Sequence, residues 1–219
     1  MSAWQEVDGP KVWVSRFLSN SVDLVPFNWN CDGDKIAFLD AFQYLWQLAP
    51  PENSPKSLFF EGANKIPPKV TDAFTIMDGL MIVSQTFRDV LVQFNIGETQ
   101  LIEVPIYADE NGTPSGLPNH FVLNVHHPRN TLIQELSVNI EQSIPYGKTA
   151  PPPDMAWTGV YNEDIWAVNS AAIDGADLWH DPMVGGRFFL SGRLKNALHG
   201  AGLKIKELNL KPVRVLESA

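Results

Sequence analysis

Imidazoles beside carboxylates can shuttle protons or hold a metal ion, and this sequence offers one compact group of them. His180 lies between Asp177 and Asp181, with Glu163 and Asp164 upstream, and the other histidines are His120, His126, His127 and His199. Asp177 and Asp181 could act as acid and base in a hydrolysis, and His126, His127 and His180 with Asp181 form a conceivable ligand set. Two features weigh against these readings. Neighbouring residues on a strand point to opposite faces, so His126 and His127 do not converge on one ion there. Asp177 and Asp181 flank Trp179 and precede Pro182, a composition suited to a strand end and a turn held by side-chain hydrogen bonds. The remaining role for Asp177, Trp179, His180 and Asp181 is contact with a partner, and they are the candidate partner-binding residues. No catalytic, cofactor-binding or metal-ligating residue is assigned, and no cofactor is expected.

Other chemistry is sparse. Cys31 is the single cysteine, which excludes an intrachain disulfide and a cysteine-based zinc cluster. No signature surrounds it as a nucleophile, so a buried or incidental thiol is expected. The sequence contains no GxGxxG or Walker loop, HExxH, GxSxG elbow or kinase signature.

Two stretches are built to position such residues. From Arg187 to Leu216, the run Phe188-Phe189-Leu190 leads into Ser191, and Leu194, Ala197, Leu198 and Ala201 follow at helical spacing. Ser191 suits a helix N-cap, and Gly200 and Gly202 bracket the helix end. Leu203, Ile205, Leu208 and Leu210 then read as a strand. The stretch from Leu80 to Ile106 has the same strand–helix–strand form. Aligning Ser84 with Ser191, an offset of 107, matches Phe87, Val90, Leu91 and Phe94 with Leu194, Ala197, Leu198 and Ala201. It also sets Leu101 on Leu208 and Pro105 on Pro212. The expected fold is therefore α+β, mixed sheets with a few packed helices, containing an internal duplication with units at about 80–106 and 187–213.

The rest of the chain reads in shorter pieces. Strands are expected at Lys11 to Phe17, before Cys31, at Leu58 to Phe60, at Phe121 to Val125, at Ile165 to Val168 and at Ala176 to Trp179. A helix is expected from Lys35 to Leu48, stopped by Pro50-Pro51. Asn111-Gly112 marks a tight turn and Ala150 to Asp154 an extended loop. Leu132 to Ile140 is left open between strand and helix. Among seven tryptophans, Trp46 and Trp166 sit in apolar patterns as core residues, whereas Trp4 and Trp157 suit core or interface equally. The domains expected are 1–70, a strand and helix region packed on the rest, and 71–219, which holds the duplication.

A hydrophobic share of 44% with 19% charged residues fits a globular protein. No apolar run reaches the roughly 18 residues of a membrane span, and Met1 to Phe17 has no secretory h-region, so a cytoplasmic location is expected. The net charge of −9 disfavours nucleic acid as a partner and suits a basic protein face.

The run Asp177-Leu178-Trp179-His180-Asp181-Pro182, then Phe188-Phe189-Leu190-Ser191 and the Leu194 to Leu203 helix, resembles the C-terminal signature of the bacterial immunity protein 11 family (domain of unknown function 1629). The resemblance extends upstream through Ile82-Val83-Ser84, the Pro105 strand and Phe121 to Val125, about Asp72 to Val213. His180 replaces the basic residue, usually Arg, common at its position, and Leu132 to Tyr146 departs from the pattern. The resemblance implies a cytoplasmic immunity protein, encoded beside a polymorphic toxin, that protects by binding the toxin. The family brings no catalytic residues. Two alternatives remain: an enzyme reversing a toxin's modification through Asp177, His180 and Asp181, and a secretion-system adaptor that binds an effector without inhibiting it.

Overall fold

The computed structural model describes residues 11–17, 24–42, 48–60, 70–142, 157–159 and 164–216. They form an α+β fold in which mixed and antiparallel sheets carry three short helices, α1 (Lys35–Asp40), α2 (Gln85–Leu91) and α3 (Gly192–Gly200). Each helix starts at a residue whose side chain accepts from first-turn amides. Asp34 caps α1, Ser84 caps α2 through the Phe87 N–H, and Ser191 caps α3 through the Leu194 N–H. Of the helix expected from Lys35 to Leu48, α1 covers Lys35–Asp40 and Leu48 is not helical; residues 43–47, with Trp46, lie outside the described residues, as do Trp4 and the Ala150 to Asp154 loop.

Two sheets repeat one plan. In the first, the order is Leu24–Val25, Ala73–Ile76, Met81–Ser84, His120–Asn124 and Gln100–Val104, with α2 following the third of these strands. In the second, the order is Leu178–Trp179, Phe189–Ser191, Val12–Val14 and Lys211–Pro212, with α3 following Ser191. Where Leu24–Val25 runs parallel to Ala73–Ile76, Pro128 makes a parallel bridge to His180. The flanking elements also match. Ser57–Phe60 pairs antiparallel with Phe27–Asn30 and parallel with Ile106–Tyr107. Correspondingly, Val168 bridges Leu132 antiparallel, and Ala167–Asn169 runs parallel to Arg214–Leu216.

The correspondence thus spans most of the chain rather than two 27-residue stretches, with one exchange of order. The first half takes its fourth strand, His120–Asn124, from after its edge strand; the second takes Val12–Val14 from ahead of the first half. Registers place Trp13 where Phe121 stands, opposite Leu190 and Val83 respectively. A separate contact agrees: the Arg88 guanidinium lies 5.7 Å from the Phe121 ring, and Lys195, 107 residues later, lies 4.7 Å from the Trp13 ring. One part of the ungapped alignment is corrected. Phe121 faces Glu103 and Trp13 faces Pro212, so Pro212 corresponds to Glu103 and not to Pro105. Leu210, rather than Leu208, then matches Leu101; both pack on the central core, while Leu208 sits in a 3₁₀ turn, Lys206–Leu208, between α3 and the edge strand.

The core has three parts. Phe87, Leu91, Leu194 and Leu198 from α2 and α3 pack between the inner faces of both sheets, with Met81, Val83, Phe121, Leu178 and Leu190. The outer face of the first sheet (Phe74, Ile82, Val104, Val122) is covered by Phe27, Trp29, Leu58 and Phe38. The outer face of the second (Val12, Val14, Trp179, Phe189) is covered by Trp166, Val168 and Val213. Both faces being covered explains why Phe121 to Leu123 is apolar without alternation. The ladders of Val12–Val14 with Phe189–Ser191 and of Leu24–Val25 with Ala73–Ile76 cross the boundary drawn at residue 70. Leu132 to Ile140 resolves into a 3₁₀ turn at Gln134–Leu136 between two bridged residues, Leu132 and Val138.

Candidate functional site

The Asp177 carboxylate is the hub of the second half. Its Oδ1 accepts from Ser191 Oγ at 2.5 Å and Arg193 Nε at 2.5 Å; its Oδ2 accepts from Arg193 Nη2 at 2.7 Å and the Asn95 N–H at 3.0 Å. Burial alone would raise its pKa, but these donors together hold it below the ordinary carboxylate value. The first half has the same device: Asp72 accepts from the Ser84 hydroxyl at 3.2 Å, and its C=O takes the Ser84 N–H at 2.9 Å, as the Asp177 C=O takes that of Ser191 at 2.9 Å. The outer oxygens are crossed between halves. Asp177 holds Asn95 in the loop after α2, and Asp72 accepts from the Lys204 N–H, in the loop after α3, at 3.0 Å. Each half therefore clasps the loop that follows the other's helix.

Asp181 serves a turn. Its Oδ2 accepts from the N–H groups of Thr131 (2.5 Å) and Leu132 (2.7 Å) and from Thr131 Oγ1 (3.1 Å), and its Oδ1 from the Met183 N–H at 2.9 Å. Trp179 stacks on Phe189 and donates to Thr131 Oγ1 at 3.3 Å. His180 stacks on His126, with ring centroids 5.9 Å apart, and burial together with the neighbouring imidazoles pushes its pKa down to about 4. Asp177, Trp179 and Asp181 are fully buried and His180 is 3% exposed. The residues expected to meet a partner thus present no side-chain surface; they position the hairpin, helix and turn around them. Of the two upstream carboxylates, Asp164 is inside, accepting from Arg187 Nη1 at 3.1 Å and Trp166 Nε1 at 2.7 Å, with Arg16 at 3.5 Å. Glu163 lies outside the described residues. Cys31 is half-buried, and no group of three or more metal-ligating side chains forms among the described residues.

The surface offers a different candidate. Leu136, Val138 and Ile165 are 50%, 45% and 42% exposed, and Val138 and Ile165 are a directly paired antiparallel bridge whose backbones exchange both hydrogen bonds. Opposed residues of such a pair share one face, so their side chains form a continuous apolar spot. Glu135 and Glu141 flank it as exposed acids. Sequence reasoning missed it because isolated surface apolar residues carry no periodic signal.

The sequence matches no protein-family model and no curated protein.

Proposed function

We propose that this chain is an immunity protein that neutralises a cognate toxin by direct, non-catalytic binding. The reading rests on the likeness of Asp72 to Val213 to the immunity protein 11 family; residues that carry the likeness, Asp177, Trp179 and Ser191 among them, here build a scaffold. A stoichiometric inhibitor needs such a rigid frame and a contact face rather than reactive groups. The exposed Val138–Ile165 pair, with exposed Leu136, Glu135 and Glu141 close by in sequence, on a chain of net charge −9, supports contact with a toxin face that mixes apolar and basic groups. The protein acts in the cytoplasm, where a producer must meet its own toxin; among the described residues no helix is long and apolar enough to cross a membrane. The hydrolase alternative requires Asp177, His180 and Asp181 to reach a substrate, and all three are buried.

Co-expression tests the proposal. The toxin encoded beside this chain arrests growth alone, and wild-type chain restores growth. Val138→Lys with Ile165→Lys keeps the fold and weakens protection. A partner that binds the chain without losing toxicity would instead identify a secretion adaptor.

A further inference from the structure

Three imidazoles gather where the two halves clasp each other. Residues 126–129 run beside His180: the His180 N–H donates to the His127 C=O at 3.2 Å, and the Arg129 N–H to the His180 C=O at 3.0 Å. The loop after α2 closes the other side. Thr99 Oγ1 accepts from the His126 N–H at 3.2 Å, and Gly97, at φ +61°, lies so close that an added Cβ would stand 2.4 Å from the His127 ring. Asn95 of that loop is held by Asp177, whose own N–H donates to the Asn95 C=O at 2.8 Å. His126, His127 and His180 thus line one seam between the α2 loop and the Asp177–His180 hairpin.

The charges around the seam do not favour cations. Arg129 adds a positive guanidinium, bonded to the Ala171 and Asp174 carbonyls. Asp177 is saturated by Arg193, Ser191 and Asn95, and Asp181 by Thr131, Leu132 and Met183. Glu98 is 3.7 Å from His126 Nε2 but is largely exposed, where a pair contributes little. We propose that this imidazole cluster makes the clasp acid-labile, so that proton uptake by His180 and its neighbours releases the α2 loop from the Asp177–His180 hairpin. Protonation would put like charges side by side in a desolvated seam. Burial first, then His126 and His127, holds His180 down to about 4; burial and Arg129 lower His127, with a hydrogen bond to the Leu178 backbone working the other way. Because the closed state has the depressed pKa, the open state binds more protons between about 6.5 and 4. The clasp is fully stable above about pH 6.5 and loosens as pH falls through that window. This inference is independent of the toxin-binding reading.

The test uses the full-length, isotope-labelled chain from pH 8 to 4.5; carboxylates begin to titrate at the lower end, and the first sheet serves as the control for them. Imidazole nitrogen shifts follow His180, and amide hydrogen exchange, corrected for intrinsic rate, follows Asp177 and, in the first sheet, Val122. The expected result is a His180 midpoint at least one unit below 6.5. Asp177 protection should also fall at least tenfold between pH 6.5 and 4.5, while that of Val122 holds. His126→Gln, which removes a neighbouring charge from a half-buried position, should raise the His180 midpoint and shrink the loss. A His180 midpoint near 6.5, pH-independent Asp177 protection, or parallel loss at Val122 would overturn the proposal.

Discussion

Replacing Asp177 with Asn probes the clasp with little change in shape. The carboxylate is fully buried and receives four donors, two of them from the Arg193 guanidinium. Asn keeps one acceptor oxygen and turns an NH₂ toward groups that are themselves donors. Arg193, the charge left behind, is solvated, so the cost is that of weakened charged hydrogen bonds, about 1.5–3 kcal/mol. At roughly 2–4 °C per kcal/mol for a chain of this size, the melting temperature should drop by about 3–12 °C. Asp72→Asn is the internal control. Asp72 is half-buried and its side chain accepts from the neutral Ser84 hydroxyl and Lys204 N–H, so about 1–2 kcal/mol is expected. Arg193 is 66% exposed, so Arg193→Gln leaves a solvated gap and costs less than Asp177→Asn. Urea unfolding at pH 7 measures all three, with an unchanged m-value showing that stability alone has moved. The Asp177 pKa is depressed in the folded state, so its contribution is present above the unfolded value of about 3.9 and lost as pH falls through the folded value. The gap between wild type and Asp177→Asn should therefore close in acid. Equal costs for Asp177→Asn and Asp72→Asn, or a gap that persists below the folded pKa, would refute the reasoning.

Other substitutions read the repeat and the surface. Ser84→Ala and Ser191→Ala each remove a helix cap and an aspartate partner, and each should lower stability by about 1 kcal/mol or more in the same unfolding assay. Gly97→Ala combines a positive φ with a collision against His127, whereas Gly112→Ala, at φ +82°, meets nothing within 4 Å. Calorimetry should find the first clearly more damaging than the second, which carries only the roughly 1 kcal/mol strain of a left-handed residue. Val138→Lys and Ile165→Lys lie on an exposed edge and should alter stability by no more than about 0.5 kcal/mol, while a binding assay with the toxin records weakened affinity.

The repeat was legible where local physics is strongest. Ser84 and Ser191 each precede apolar residues at helical spacing, and each caps its helix. Asp72 and Asp177 escaped the same comparison because they stand 12 and 14 residues before their serines: the hairpins between them differ in length, and an ungapped register skips the match. The two-residue shift of the last strand misplaced Pro212 for the same reason. Val12–Val14 was recognisable as a strand, but its place inside the second sheet follows from tertiary pairing across the chain. The Asp177–Trp179–His180–Asp181 quartet carried polar and aromatic types that suit an interface or a turn equally. Burial distinguishes them: Trp179 lies under Trp166, Val168 and Val213, His180 against His126, and Asp181 against Thr131, all from segments remote in sequence. The Leu136–Val138–Ile165 spot depends on a bridge between positions 138 and 165 that no local pattern announces.

The central claim is neutralisation by binding, and stoichiometry tests it most directly. Purified toxin is held at a concentration far above its dissociation constant, and its activity is measured as this chain is added. A non-catalytic inhibitor gives a linear fall reaching zero at a fixed molar ratio, with the inhibited complex recovered intact. Complete protection at a small fraction of that ratio, growing with incubation time, would mean turnover and would contradict the claim.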